Sequence, residues 1–163
     1  MMITFYIFFA FVTYWAWIMI HELSHILMAS KLLNVKEWKI IPYPHIDKGS
    51  FFFARAIWKY TGKNTPKKRA AISLAPRLPN ILAALMLQIA WLLPNPVQLF
   101  WLTFWMGGIV DLLYGSIGYS KRSDLQKASK QLKLNPWILR IIGFTLALIT
   151  ALPILLSKIT QLL

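Results

Sequence analysis

The chain has 163 residues, enough for one compact domain. It is 58% hydrophobic and 15% aromatic, with mean hydropathy +0.55, well above the apolar share of about 45–50% in soluble domains. It carries 18 Lys/Arg against 5 Asp/Glu and no cysteine, which excludes disulfides, thiolate metal sites and a thiol nucleophile.

Residues 3–30 form the first apolar run, long enough to cross a bilayer at about 20 residues per crossing. The run lacks a basic leader and a small-residue cleavage site, so it reads as a retained membrane helix and not a signal peptide. Near its end stands His21-Glu22-Leu23-Ser24-His25. Residues 31–69 follow as a basic loop with ten Lys/Arg. Weak alternation over Val35–Ile41 and the β-prone Phe51–Ile57, separated by the turn-rich Pro42–Ser50, predict a small membrane-associated β-hairpin within it.

A second span is expected over residues 70–93, interrupted by Pro76, Arg77, Pro79 and Asn80. Pro94-Asn95-Pro96 makes a tight, uncharged turn, and residues 97–120 form a third span containing Asp111. Residues 121–136 read as a second basic loop with five Lys/Arg, and residues 137–157 as a fourth span. The fold class expected is therefore an all-α polytopic membrane protein of about four transmembrane helices in a single membrane domain, with the β-hairpin between the first two. A surplus of positive charge in a soluble domain would suggest nucleic acid. Here the charges cluster between apolar runs, the pattern of cytoplasmic loops facing anionic headgroups. The partner expected from this pattern is the lipid bilayer and not nucleic acid. The same asymmetry puts both termini outside and the motif near the cytoplasmic side of a multi-pass protein of the cell membrane.

His21 and His25 stand at i and i+4, on one helical face, so both imidazoles can reach one metal ion. Glu22 falls beside them and can act as general base on a zinc-activated water. Three ionisable residues within five positions of an apolar run are costly, and one Zn2+ ion gives them a shared partner. Without cysteine, the third ligand must be His or carboxylate. Of Glu37, His45, Asp47, Asp111 and Asp124, only Asp111 lies well inside an apolar span. At about 1.5 Å rise per residue, His21 and His25 lie roughly 8–14 Å from the cytoplasmic surface and Asp111 roughly 14 Å, which makes Asp111 the expected third ligand. Arg77 is the competing partner for that carboxylate. Gly107-Gly108 would let the aspartate's helix approach the histidines closely. Carbonyls freed by Pro76 and Pro79, or the Asn80 amide, could bind an extended substrate or polarise its carbonyl.

This pattern resembles the site-2 protease family of intramembrane zinc metalloproteases. The resemblance rests on HELSH near the cytoplasmic end of the first helix, the hairpin directly after it, the Pro/Asn-containing Ala75-Pro-Arg-Leu-Pro-Asn80, and a later helix bearing Asp111. It covers about three quarters of the chain. Ala75 before Pro76, the placement of Asn80, and the Leu-Leu that follows Asp111 depart from the family pattern, which marks a divergent or minimal member. The resemblance implies hydrolysis of peptide bonds in a membrane protein substrate, often single-pass, with His21, His25 and Asp111 as zinc ligands and Glu22 as base. The alternative is a non-catalytic, metal-stabilised membrane protein: an inactive protease relative, a scaffold or a transporter subunit.

Overall fold

The computed structural model describes residues 2–47, 50–94, 97–117 and 123–160. Six helices and two small antiparallel sheets occupy them, in the order α1 (Met2–Leu32), β1 (Asn34–Ile41), β2 (His45–Asp47), β3 (Ser50–Phe52), β4 (Arg55–Thr61), α2 (Pro66–Leu74), α3 (Arg77–Trp91), α4 (Val97–Ile117), α5 (Asp124–Leu132) and α6 (Pro136–Thr160). Three segments are long and apolar enough to cross a membrane: Thr4–Leu32, the Pro66–Trp91 helix pair, and Val97–Ile117. The apolar stretch at the start of α6, Pro136–Leu152, is shorter. Large apolar side chains such as Phe8, Phe11, Leu85, Ile141 and Ile149 face outward, as lipid-facing surfaces do.

Local sequence signals mark the starts of α2 and α6. Thr65 caps α2 by accepting from the Lys68 N–H at 3.4 Å, and Pro66 occupies the first turn, where its missing N–H costs nothing. Asn135 accepts from the Trp137 N–H at the start of α6. The second apolar run is not one helix. Ala75-Pro76 breaks it into α2 and α3, because Pro76 has no N–H to continue the ladder.

β1 pairs with β4 in an antiparallel hairpin, with Trp38 opposite Trp58 and Ile41 opposite Arg55. β2 and β3 form a second, shorter pair at its tip. At about 3.3 Å per residue, β1 runs back along α1 for roughly 26 Å. The tip is tied there by a hydrogen bond from Trp15 Nε1 to the Pro42 carbonyl at 3.0 Å and by edge-on packing of Phe53 against Tyr14. The predicted hairpin is thus present, and it lies against α1.

Two packing centres hold the helices. One joins α3, α4 and α6 through Leu87, Ile109, Leu112, Ala147 and Ile154. The other gathers Ala29, Leu33 and Ile72 under Val35 and Trp58, where α1 meets α2 and the hairpin base. Small residues set the helix spacing. A Cβ on Gly107 would overlap the Trp17 indole, and one on Gly108 would overlap both Ala83 and Trp17. Trp17, 2% exposed, fills that groove and donates Nε1–H to the Phe104 carbonyl at 2.6 Å. In a bilayer such close approach stabilises through dispersion and hydrogen bonding, since lipid is as apolar as the core.

The expected loop over residues 121–136 is corrected. Its described part contains α5, a nine-residue helix. Ser123 caps it by accepting from the Gln126 N–H, and Lys133 ends it in the left-handed conformation at φ 58°. Leu125, Ala128 and Ser129 form its buried face, packed mainly on α2. Charge density concealed the i, i+3, i+4 pattern in this stretch.

Gly107→Val should force the Trp17 indole out of its groove. Overpacking of this kind costs about 1–3 kcal/mol, so a lower midpoint of thermal unfolding in detergent is expected.

Candidate metal centre

The site is built on α1. His21 and His25 lie one turn apart with ring centroids 5.1 Å from each other. Both point their Nε2 atoms at the same carboxylate oxygen, Asp124 Oδ2, at 3.0 and 3.1 Å. The three potential ligand atoms lie within 4.8 Å of one another. The third member of this cluster therefore comes from the start of α5, a segment outside the apolar runs.

The far edge of each imidazole is also engaged. His25 Nδ1 lies 2.7 Å from the Ile72 carbonyl. A carbonyl only accepts, so Nδ1 must carry the proton. Pro76 explains why that carbonyl is available: in a continuous helix residue 76 would donate to Ile72, and proline cannot. The carbonyl freed by the proline thus orients a histidine. Ala75 N–H bonds the same oxygen at 3.3 Å.

His21 Nδ1 lies 3.0 Å from Asp111 Oδ2. Asn80 Nδ2 donates to that same oxygen at 2.9 Å, and Arg77 NH1 approaches it at 3.9 Å. Asp111 is thereby an acceptor, and His21 Nδ1 is the donor. Asn80, 1% exposed, lies one turn into α3 where the helix passes close to α4. The Arg77 guanidinium sits over Gly115, where any Cβ would collide with it.

His21, Glu22, His25, Asp111 and Asn80 lie in one region of the structure. Asp111, however, approaches His21 from the Nδ1 edge, opposite the Nε2 edge on which the ligand atoms converge. Asn80 directs its amide to Asp111. Asp124 lies outside the apolar spans, which made Asp111 the expected ligand, yet it is the carboxylate between the two Nε2 atoms. The sequence signal nearest to it is Ser123-Asp124 ahead of a short amphipathic repeat, which marks a helix start.

This donor set fits a metal ion. With Nδ1 protonated on both rings, a neutral imidazole offers a lone pair at each Nε2. Two such lone pairs and a carboxylate oxygen at 3.0–3.1 Å repel one another unless positive charge lies among them. Protons on the imidazoles or a divalent cation can supply it. Histidines held from behind by a carboxylate and a backbone carbonyl are the arrangement that orients metal ligands and fixes their tautomer. Burial alone would push the Asp124 carboxyl up, but with the imidazoles protonated at Nε2 as well, their hydrogen bonds and positive charge hold it well below the usual carboxylate range.

The chain matches no protein-family model, no curated protein and no solved structure.

Glu22 stands on the same turn. Its Oε2 accepts the Ala56 N–H of β4 at 2.6 Å, which links the motif to the hairpin. Ala56 lies opposite Ile40 in the β1–β4 register, and its N–H points away from β1, so the outer edge of β4 faces the glutamate.

Zinc titration of purified variants separates the two aspartates. Asp111→Asn should weaken apparent affinity about 10–100-fold, the usual effect of losing a group that supports a ligand, and Asp124→Asn should weaken it further still. A larger loss at Asp111 would return that residue to the ligand set.

Proposed function

We propose that this chain is an intramembrane zinc metalloprotease of the site-2 protease kind, with His21, His25 and Asp124 holding one zinc ion and Glu22 as general base. The observation that carries this reading is the convergence of His21 Nε2 and His25 Nε2 on one Asp124 oxygen, beside a glutamate from the same helical turn. Asp111 and Asn80, expected respectively as ligand and as substrate or oxyanion residue, are assigned a supporting role behind His21.

In this proposal α1, the α2–α3 pair, α4 and α6 make four crossings, with basic segments in the cytoplasm and both termini outside. The site then lies near the cytoplasmic face. The α2–α3 break and the hairpin put non-helical backbone beside the site, which a membrane tolerates where backbone is buried in protein or lines a polar cavity.

Zinc, when bound, supplies Lewis acidity that activates a water and polarises the scissile carbonyl. Glu22 takes a proton from the attacking water and returns it to the departing amine nitrogen as the C–N bond breaks. Asp111 and the Ile72 carbonyl keep both Nε2 lone pairs aimed forward. Residues of β4 bind and orient the substrate. A membrane helix must unwind to be cut, and the outer edge of β4 offers main-chain groups to an extended segment as an added strand. Such a strand would pass directly by Glu22, because the Ala56 N–H on that edge already touches its carboxylate.

Purified protein in bilayers, given a single-pass model substrate, should cleave it and bind about one equivalent of zinc. Glu22→Gln should retain zinc and lose at least about 100-fold in rate, the scale of general base catalysis. Undiminished cleavage by Glu22→Gln would remove the mechanism. Zinc bound without cleavage of any membrane substrate would leave the non-catalytic, metal-stabilised alternative.

A further inference from the structure

The helix that supplies Asp124 has a second face, and its chemistry is specific. α5 buries Leu125, Ala128 and Ser129 against the bundle. Lys127 and Lys130 project from the opposite side, both exposed, and Lys133 extends the row at the helix end. Arg69 of α2 joins this surface by donating Nε–H to Gln131 at 3.1 Å. Asp124 is the only acid in α5, and it is turned into the site with its Oδ1 3.3 Å from Lys127 Nζ. Lys127 is thus paired within its own helix, whereas Lys130 and Lys133 lie beyond the reach of that single acid.

The residues just beyond the lysines decide which polyanion fits. Leu132, Leu134 and Trp137 are 38%, 43% and 53% exposed, directly after the basic row. A surface meant for an acidic soluble protein has no need of an apolar and tryptophan fringe at the start of the next apolar helix. Lysines above exposed leucines and a tryptophan are the composition of a helix resting in the headgroup layer. We infer that α5 is an interfacial anchor whose basic face binds anionic lipid headgroups, and that lipid charge thereby governs metal occupancy through Asp124.

The coupling follows from the geometry and rests on Asp124 being a ligand, as proposed above. α5 is nine residues long, too short to be stable alone, so it depends on its contacts. Metal binding at Asp124 orders its first turn. Headgroup binding at Lys127, Lys130 and Lys133 orders the same helix. When two ligands order one element, each makes the other's binding easier. Lys127 gives a direct link, because its ammonium can leave Asp124 Oδ1 for a phosphate and release that oxygen toward the metal.

Apparent zinc affinity of the full chain, measured in nanodiscs of phosphatidylcholine with and without phosphatidylglycerol, tests this. Each lysine near an anionic surface contributes on the order of a fivefold attraction, so zinc should bind about three- to tenfold more tightly in the anionic discs. The double variant Lys130→Gln/Lys133→Gln touches no site residue. It should match the parent in neutral discs, showing an intact fold, and lose the gain in anionic ones. Amide exchange across residues 125–132 should slow with phosphatidylglycerol in the parent and not in the variant. Equal zinc affinity in both bilayers overturns the coupling while leaving the metal site standing, and no zinc binding in either overturns both. A gain produced by soluble polyglutamate and not by phosphatidylglycerol would assign the surface to an acidic protein and overturn the lipid assignment.

Discussion

Both edges of the His21 ring are held by carboxylates, Asp111 on one side and Asp124 on the other, and the rest of the structure is organised around that constraint. Three of the chain's five acids, Glu22, Asp111 and Asp124, sit with two histidines among apolar helices. Charges removed from water are costly unless each is paired or bonded. Every one of these groups has such a partner. Asp111 has His21, Asn80 and Arg77; Asp124 has both histidines and Lys127; Glu22 has a backbone amide. The Nε2–carboxylate–Nε2 convergence needs positive charge, which protons on the imidazoles or the proposed cation would supply.

Irregular backbone turns out to be part of this network. Pro76 ends α2 and leaves the Ile72 carbonyl free to accept from His25. The same break starts α3 at the depth where Asn80 meets Asp111. Gly107, Gly108 and Gly115 contribute by lacking side chains, admitting Trp17, Ala83 and Arg77 into space that a methyl group would fill. The hairpin brings an amide to Glu22 and leaves its own outer edge beside that residue. Breaks that would weaken an ordinary helical bundle supply the acceptors, donors and clearances that this site uses.

A short surface helix completing a site inside apolar helices has a physical consequence. The first two proposed ligands are on α1, a long helix that can persist without the rest of the site. The third arrives on nine residues held by α2, by its own cap, and by whatever lies against its lysines. Assembly of the site is therefore sensitive to the surroundings of α5 in a way that the histidines are not.

Local rules read from the sequence were sufficient for much of this. Apolar runs marked α1, the α2–α3 pair and α4, because backbone in an apolar setting must satisfy itself within a helix. The i, i+4 spacing placed His21 and His25 on one face, since helical geometry depends on nothing remote. Depth, counted residue by residue, brought Asp111 to the level of the histidines. What the count could not show was which edge of His21 it would meet, because that depends on how α1 and α4 rotate against each other around Trp17 and the glycine pair. Nor could it find Asp124. Burial of that residue comes from α5 folding onto α2, about a hundred positions from His21 along the chain, and a carboxylate in a lysine-rich segment looks solvated until its neighbours in space are known. Composition and periodicity determined that this chain carries a histidine pair among membrane-length helices; only tertiary packing decided which aspartate stands between them.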